Sequence, residues 1–401
     1  GANSIPAIIG FCMTGVGLPL LGIAAIGISK SKGLFDASKK VAKWFSYFFT
    51  VILYLSIGPL FAIPRTATVS FTTGITPFIS ADQTQLGLFI YTLIFFALVL
   101  LFSLRPSKIM TWIGKYINSI FLVLLFCLLV MAVVKPIGSF TEVQPTGGYI
   151  SQPLFTGLLE GYNTMDTIAA LNFGLVISLA VKSFKVEDEE KVIGYTVRVG
   201  LVAGSFLFVI YAMLAYIGMT TSGLTGDVKN GAEILTTVSQ YVFGKFGIVL
   251  LASIFTLACL TTCIGLITSI SKFFETMTKE KVSYHKWIVF WTFLSFLVAN
   301  FGLNTILKVS VPVLVAIYPV SIVLILLGLT EKYFGYNKFT YRLICYTVTF
   351  IAVVESLQSV NLTLPFVTKL VSSLPFYSLS LGWVIPMVLT WFVGMSSKLL
   401  E

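Results

Sequence analysis

Charge is what this sequence has least of. Asp, Glu, Lys and Arg make up 10% of its 401 residues, hydrophobic residues make up 57%, and the mean hydropathy is +0.97. A soluble domain carries about 25% charged residues, so this chain cannot build a water-facing surface. Histidine occurs once, as His285 beside Lys286. No second aspartate within the apolar runs pairs with Asp166, and no serine has a base partner, which removes the usual hydrolase and acyltransferase constellations. The five cysteines, Cys12, Cys127, Cys259, Cys263 and Cys345, all lie in apolar runs, so a disulfide scaffold is excluded. Cys259 and Cys263 have i,i+4 spacing but no accompanying histidine, which reads as packing and not as a metal site. Low-complexity stretches and Pro/Ser-rich linkers are also missing, so residues 1–401 are expected to form a single membrane domain.

What the chain does have is a succession of apolar runs, each long enough to cross ~30 Å of hydrocarbon as a helix. Eleven spans are predicted: 4–28, 45–73, 87–104, 110–134, 153–181, 195–220, 244–271, 285–303, 306–330, 340–358 and 379–397. The basic residues sort between alternate loops. Twenty fall on one side, beginning with Lys30, Lys32, Lys39, Lys40 and Lys43 and ending with Lys332, Lys338, Arg342 and Lys398. Five fall on the other: Lys135, Lys229, Lys245, Lys308 and Lys369. This is the positive-inside pattern, so the net charge of +10 reads as topology and not as a nucleic-acid patch. The C-terminus is expected in the cytoplasm and the first residue outside. An exterior start that is neither Met nor preceded by a basic n-region leads us to expect at least one further helix upstream.

Two spans concentrate polar residues at mid-membrane depth. The fifth contains Glu160, Gly161, Tyr162, Asn163, Thr164, Met165, Asp166 and Thr167. Such residues are expensive in lipid and face a cavity or a partner. A helix broken there aims free backbone groups at a midplane site; the alternative is a helix that starts late, with Glu160 and Asp166 near the interface. The seventh span carries Thr256, Ala258, Thr261, Thr262, Thr268 and Ser269. Hydroxyls and exposed carbonyls at Ala258, Thr261 and Thr262 suit a dehydrated monovalent cation, although threonines also serve packing in membrane helices. Arg65, between Pro64 and a Thr-rich stretch, either snorkels or joins an internal polar network. Pro312 and Pro319 bracket Tyr318 and predict a kink that could act as hinge or gate, or serve packing alone.

Four stretches carry a family resemblance. Gly17-Leu-Pro-Leu-Leu-Gly22, Gly58-Pro-Leu-Phe-Ala-Ile-Pro-Arg-Thr-Ala-Thr-Val-Ser-Phe71, Gly161-Tyr-Asn-Thr-Met-Asp166 and Ser310-Val-Pro-Val-Leu-Val-Ala-Ile-Tyr-Pro319 closely resemble the bacterial branched-chain amino acid carriers, the BrnQ-type cation symporters. The resemblance implies an all-α, polytopic fold with the inverted five-helix repeats of the amino acid–polyamine–cation superfamily (LeuT-like). Of twelve implied helices, about eleven are present. Residues 1–134 would be the remainder of the first repeat, 153–330 the second, and 331–401 two added helices. It further implies sodium-coupled import of leucine, isoleucine and valine across the bacterial inner membrane by alternating access. Na+ is then the coupling ion, with no bound cofactor, no nucleic acid and no obligate protein partner; proton coupling remains the alternative. Gly161 to Asp166 would sit at a broken helix around the substrate. Ala258, Thr261 and Thr262 match the spacing of a sodium site, and Tyr54 and Phe173 are candidates for the aliphatic pocket. Asp166 could be a cation neighbour, a proton carrier or a partner of Arg65. The family's first helix, with its Gly-Ala-Gly-Asn-type break, has no counterpart here, so transport is expected of a complete protein that includes it. A channel is disfavoured because no filter motif repeats.

Overall fold

The computed structural model describes residues 3–28, 34–104, 143–171, 188–221, 230–362 and 365–399, with residue 181 and single positions between 116 and 138. Every regular element among the described residues is helical. Seven helical stretches are long and apolar enough to cross a membrane: Ser4–Ile26, Lys43–Phe78, Ala81–Leu104, Glu190–Thr221, Gly231–Met277, Leu303–Phe334 and Lys338–Ser359. The expected span 110–134 and the second half of 153–181 fall largely outside the described residues. The expected spans at 285–303 and 379–397 appear as shorter helices, Tyr284–Ala299 and Val384–Leu399, of 16 residues each. The first of these stops early because Gly302, at φ +82, turns the chain into the next helix.

The outer faces of these helices are built for lipid. In Thr84–Leu104 the buried positions Leu88, Thr92, Phe95, Phe96 and Val99 recur at helical spacing. The opposite face is also apolar, with Leu86, Ile90, Leu93, Ile94 and Leu101 exposed. A helix apolar on all sides yet half exposed belongs in a bilayer.

The chain forms two compact units. The first comprises Tyr54–Gln144 and Met213–Lys308, together with Gly1–Ala2; the second comprises Asn3–Leu53, Pro145–Ala212 and Val309–Glu401. In the first unit the long helix Gly231–Met277 packs on Ala62–Gly74, and the approach is close where a Cβ on Gly74 would come within 3.1 Å of the Ala252 Cβ. A straight helix of its 47 residues would run ~70 Å, far beyond a bilayer. Gly244, at φ +62 and ψ −154, bends it at the residue where the seventh span is expected to begin. Ser239 Oγ bridges the bend by donating to the Gly247 carbonyl at 2.9 Å. Asn230 caps the start, accepting from the Ala232 and Glu233 amides.

Loop contacts within each unit follow the charge sorting. In the second unit Lys40 pairs with Glu331, and Arg342 Nε donates to the Val41 carbonyl at 2.9 Å, joining two loops expected on the basic side. In the first unit Gln85 donates to the Asn300 carbonyl at 3.1 Å and Asn230 to Asn304 Oδ1 at 3.2 Å, joining loops expected on the other side.

Candidate functional site

Backbone geometry settles the character of the fifth span. Pro153–Glu160 is α-helical, Gly161–Thr164 tightens to 3₁₀, and Met165 turns left-handed at φ 61 and ψ 9 before helix resumes at Asp166. The helix is therefore broken, with two full turns preceding Gly161. Proline at the first position suits a helix start. A buried, non-glycine residue in the left-handed region costs roughly 1–3 kcal/mol, and such strain is held where surrounding packing imposes it.

That packing comes from the helix Ser4–Cys12. A Cβ on Gly157 would run into the Ala7 backbone, and one on Gly10 into the Leu154 carbonyl, so the two helices touch backbone to backbone. Small residues in membrane helices allow this approach. Thr14 then locks the break from both ends: its Oγ1 donates to the Leu158 carbonyl at 2.7 Å, and its own carbonyl accepts from Thr167 Oγ1 at 3.2 Å. Met13–Gly17 is wound as a π-helical turn, which carries Thr14 and Gly15 to the break. Gly161 lies so close to Thr14 Oγ1 and the Phe11 carbonyl that only glycine fits.

Three tyrosines gather around the break, and one of them bonds the Asp166 carboxylate. Tyr211 donates to Asp166 Oδ2, and its ring meets Phe11 edge-on at 5.1 Å. Tyr162 stacks on Tyr318 with centroids 4.2 Å apart and planes 20° apart. Tyr318 is wholly buried and Tyr162 is 3% exposed. Thr164 Oγ1 donates to the Gly161 carbonyl at 2.9 Å and accepts from the Asp166 amide at 3.3 Å. Asn163 Nδ2 donates to Glu160 Oε2 at 2.9 Å on the exposed side. The structure thus brings Gly161, Tyr162, Thr164, Met165, Asp166 and Tyr318 together, with Asn163 at the margin. It adds Thr14 and Tyr211, which sequence reasoning missed: a lone Tyr or Thr in an apolar run carries no local signal. Phe173 lies outside the described residues.

Pro312 and Pro319 do not interrupt Leu303–Phe334, which continues as helix past both. Each proline removes the amide that would serve the carbonyl four residues earlier, at Lys308 and Val315. A break appears in another helix. Between Lys43–Leu55 and Ala62–Gly74 a π-helical turn contains Gly58 at φ −96 and ψ −125, followed by Pro59. Gly58 there accommodates the Ile270 side chain. Arg65 sits half-buried in the first turn after this bend, with Thr68 Oγ1 donating to its carbonyl at 3.2 Å.

The seventh-span residues belong to the first unit. Thr261 and Thr262 each donate to the Ala258 carbonyl at 2.9 Å, so three oxygens crowd one turn of helix. Donation leaves the hydroxyl lone pairs open to a cation. Thr261 is half-buried and Thr262 exposed. One turn earlier, Thr256 Oγ1 and the Tyr91 hydroxyl lie 3.1 Å apart. Tyr54 is packed flat on Phe273, centroids 3.9 Å apart, which commits its ring to the first unit's own packing.

Comparison with known proteins adds to this geometry. The pattern of the family described as "Branched-chain amino acid transport protein" matches residues 1–400. The branched-chain amino acid permease BrnQ of Lactobacillus delbrueckii subsp. lactis is 42% identical, the match covering 96% of this chain and 87% of that protein. The permease BraB of Bacillus subtilis is 40% identical, covering 100% and 91%. The branched-chain amino acid transport system 2 carrier protein of Pseudomonas aeruginosa is 38% identical, covering 96% and 86%. Among solved structures, the nucleobase-cation-symport-1 family transporter Mhp1, closed with bromovinylhydantoin bound, superposes with a TM-score of 0.57 at 14% identity. That match covers 99% of this chain and 85% of Mhp1, and it is a likeness of fold.

Proposed function

Because this chain belongs to the branched-chain amino acid transport protein family, a family of carriers and not of enzymes, we propose that it imports leucine, isoleucine and valine across the bacterial plasma membrane, coupled to sodium, by alternating access. The observation that carries the reading is the helix broken at Gly161–Met165 beside Asp166. Its unwound amides and carbonyls are the groups that meet the charged ends of an amino acid. Tyr162 and Tyr318 form a stacked apolar wall beside them, suited to an aliphatic side chain. Gly161, Tyr162, Asn163, Thr164, Met165 and Asp166 are the substrate-side residues in this proposal. Discrimination among the three substrates is expected to be modest, since a methylene is worth only ~1–3 kcal/mol in an apolar pocket.

Sodium is assigned to the Ala258 carbonyl with Thr261 and Thr262. Hard cations take oxygen ligands, and this turn presents three. The complete protein reconstituted in liposomes is expected to accumulate leucine when sodium is high outside, and to cease when the gradient is replaced by potassium. Flat uptake under both conditions sinks the coupling assignment. Thr262→Ala is expected to raise the sodium concentration for half-maximal uptake about tenfold, the worth of one contact to a charge. An unchanged sodium requirement would place the ion elsewhere.

A further inference from the structure

The second unit contains an ionisable group that the carrier reading leaves unused. Glu355 lies near the end of the helix Lys338–Ser359 and is only 7% exposed. Its Oε1 accepts from the Gly382 amide at 3.2 Å, and its Oε2 has no partner among the described residues. The approach is close because residue 382 is glycine: a Cβ there would stand 2.7 Å from Oε1 and 3.1 Å from the Tyr377 ring. The segment carrying Gly382 is folded over the carboxylate by two left-handed residues, Phe376 and Ser380, and is tied down by the Tyr377 hydroxyl on Gln358.

A carboxylate buried without a positive partner is costly even after the surroundings relax. No described lysine, arginine or histidine pairs with Glu355. The neighbours that its charge reaches are phenols, Tyr162 from the broken helix and Tyr377 from the covering segment. Lys369, on the helix Pro365–Ser372, points into exposed space, as does Glu160. On its own helix the charged residues are Lys338 and Arg342, at the opposite end. Buried beside it, Trp383 Nε1 and the Tyr162 hydroxyl also lack partners among the described residues.

We propose that Glu355 is a second cation site of the transport cycle, whose carboxylate takes up one positive charge, H+ or Na+, and is coupled to the broken helix through Tyr162. This rests on the carrier reading and extends it. One element joins the two sites: Tyr162 lies within reach of the Glu355 charge and stacks on Tyr318 at the break. A charge arriving at Glu355 therefore changes the field on a residue of the substrate region. A purely structural Glu355 would only hold the Gly382 amide, and glutamine would do that equally well.

The test is unfolding temperature of the purified protein, titrated with Na+ at constant ionic strength and separately with pH, for wild type, Glu355→Gln and Glu355→Asp. An ion that binds only the folded state raises its stability. The wild type is expected to respond to at least one of the two cations, and Glu355→Gln to lose part or all of that response. Loss of the Na+ response identifies sodium, and loss of the pH response identifies the proton. Glu355→Asp is expected to keep the response with its midpoint displaced about tenfold. Wild-type responses in Glu355→Gln, or an undisplaced midpoint in Glu355→Asp if the glutamine variant does not fold, overturn the proposal. Leucine uptake is measured separately on the complete wild-type protein. Its absence there overturns the carrier reading and leaves the ion titration to judge Glu355 by itself.

Discussion

Gly157→Val is expected to lower the stability of the protein by about 3 kcal/mol, the upper end for forcing extra atoms into a packed interior, and to abolish uptake. The reason lies in what the new side chain meets. A Cβ on Gly157 would stand 2.7 Å from the Ala7 carbonyl carbon and 3.0 Å from its Cα, and these are backbone atoms with no rotamer to escape into. The helices Ser4–Cys12 and Pro153–Glu160 must then separate. Membrane helices have no hydrophobic drive toward each other and associate by close packing and hydrogen bonds, so separation forfeits most of their attraction. It also stretches the Thr14–Leu158 and Thr167–Thr14 hydrogen bonds that hold the break. Gly157→Ala should fall between valine and wild type. Gly194→Ala, at an exposed helical position with nothing within 4 Å of the new Cβ, should be neutral or slightly stabilising. Thermal unfolding in detergent reads all three, and equal midpoints for Gly157→Val and wild type would refute the close-packed contact.

Tyr211→Phe is expected to leave the protein folded and to cut uptake roughly tenfold to a hundredfold, since a hydrogen bond to a charged group is worth ~1.5–3 kcal/mol. The ring keeps its edge-on contact with Phe11, and the hydroxyl that donates to Asp166 Oδ2 and meets Thr164 is removed. Asp166 begins the second half of the broken helix, directly after the left-handed Met165, so losing this donor loosens the orientation of the break. Asp166→Asn should be similarly impaired. The double variant should be no worse than the poorer single one, because the two residues act as a pair. Additive losses across that cycle would show that Tyr211 and Asp166 act independently.

Much of the architecture was legible from one chain of residues. The membrane class and the helical fold follow from hydropathy, because lipid forces each spanning segment to satisfy its own backbone. The same local logic marked Gly161 to Asp166: polar residues in the middle of an apolar run are conspicuous wherever the run ends up. Ala258, Thr261 and Thr262 were visible as a spacing, and their shared turn of helix follows from that spacing alone. Proline does not by itself break a helix. Leu303–Phe334 absorbs Pro312 and Pro319, while the bend forms at Gly58, where a helix interrupted by a π-helical turn also has to accommodate Ile270.

Other features depend on pairs of residues that are distant in the chain. Gly10 and Gly157 look like ordinary small residues until their helices are laid side by side. Thr14 becomes the lock of the break only because it faces Leu158 and Thr167, about 150 positions later. Tyr211 carries no signal in its apolar helix, and Glu355 reads as a stray acid near a helix end until Gly382 folds over it. The physical distinction is one of range. Burial in lipid and backbone satisfaction are decided segment by segment, so composition and periodicity reveal them. Close packing and side-chain hydrogen bonding are decided between segments, so which glycine is a contact and which carboxylate is buried emerged only when the helices were assembled.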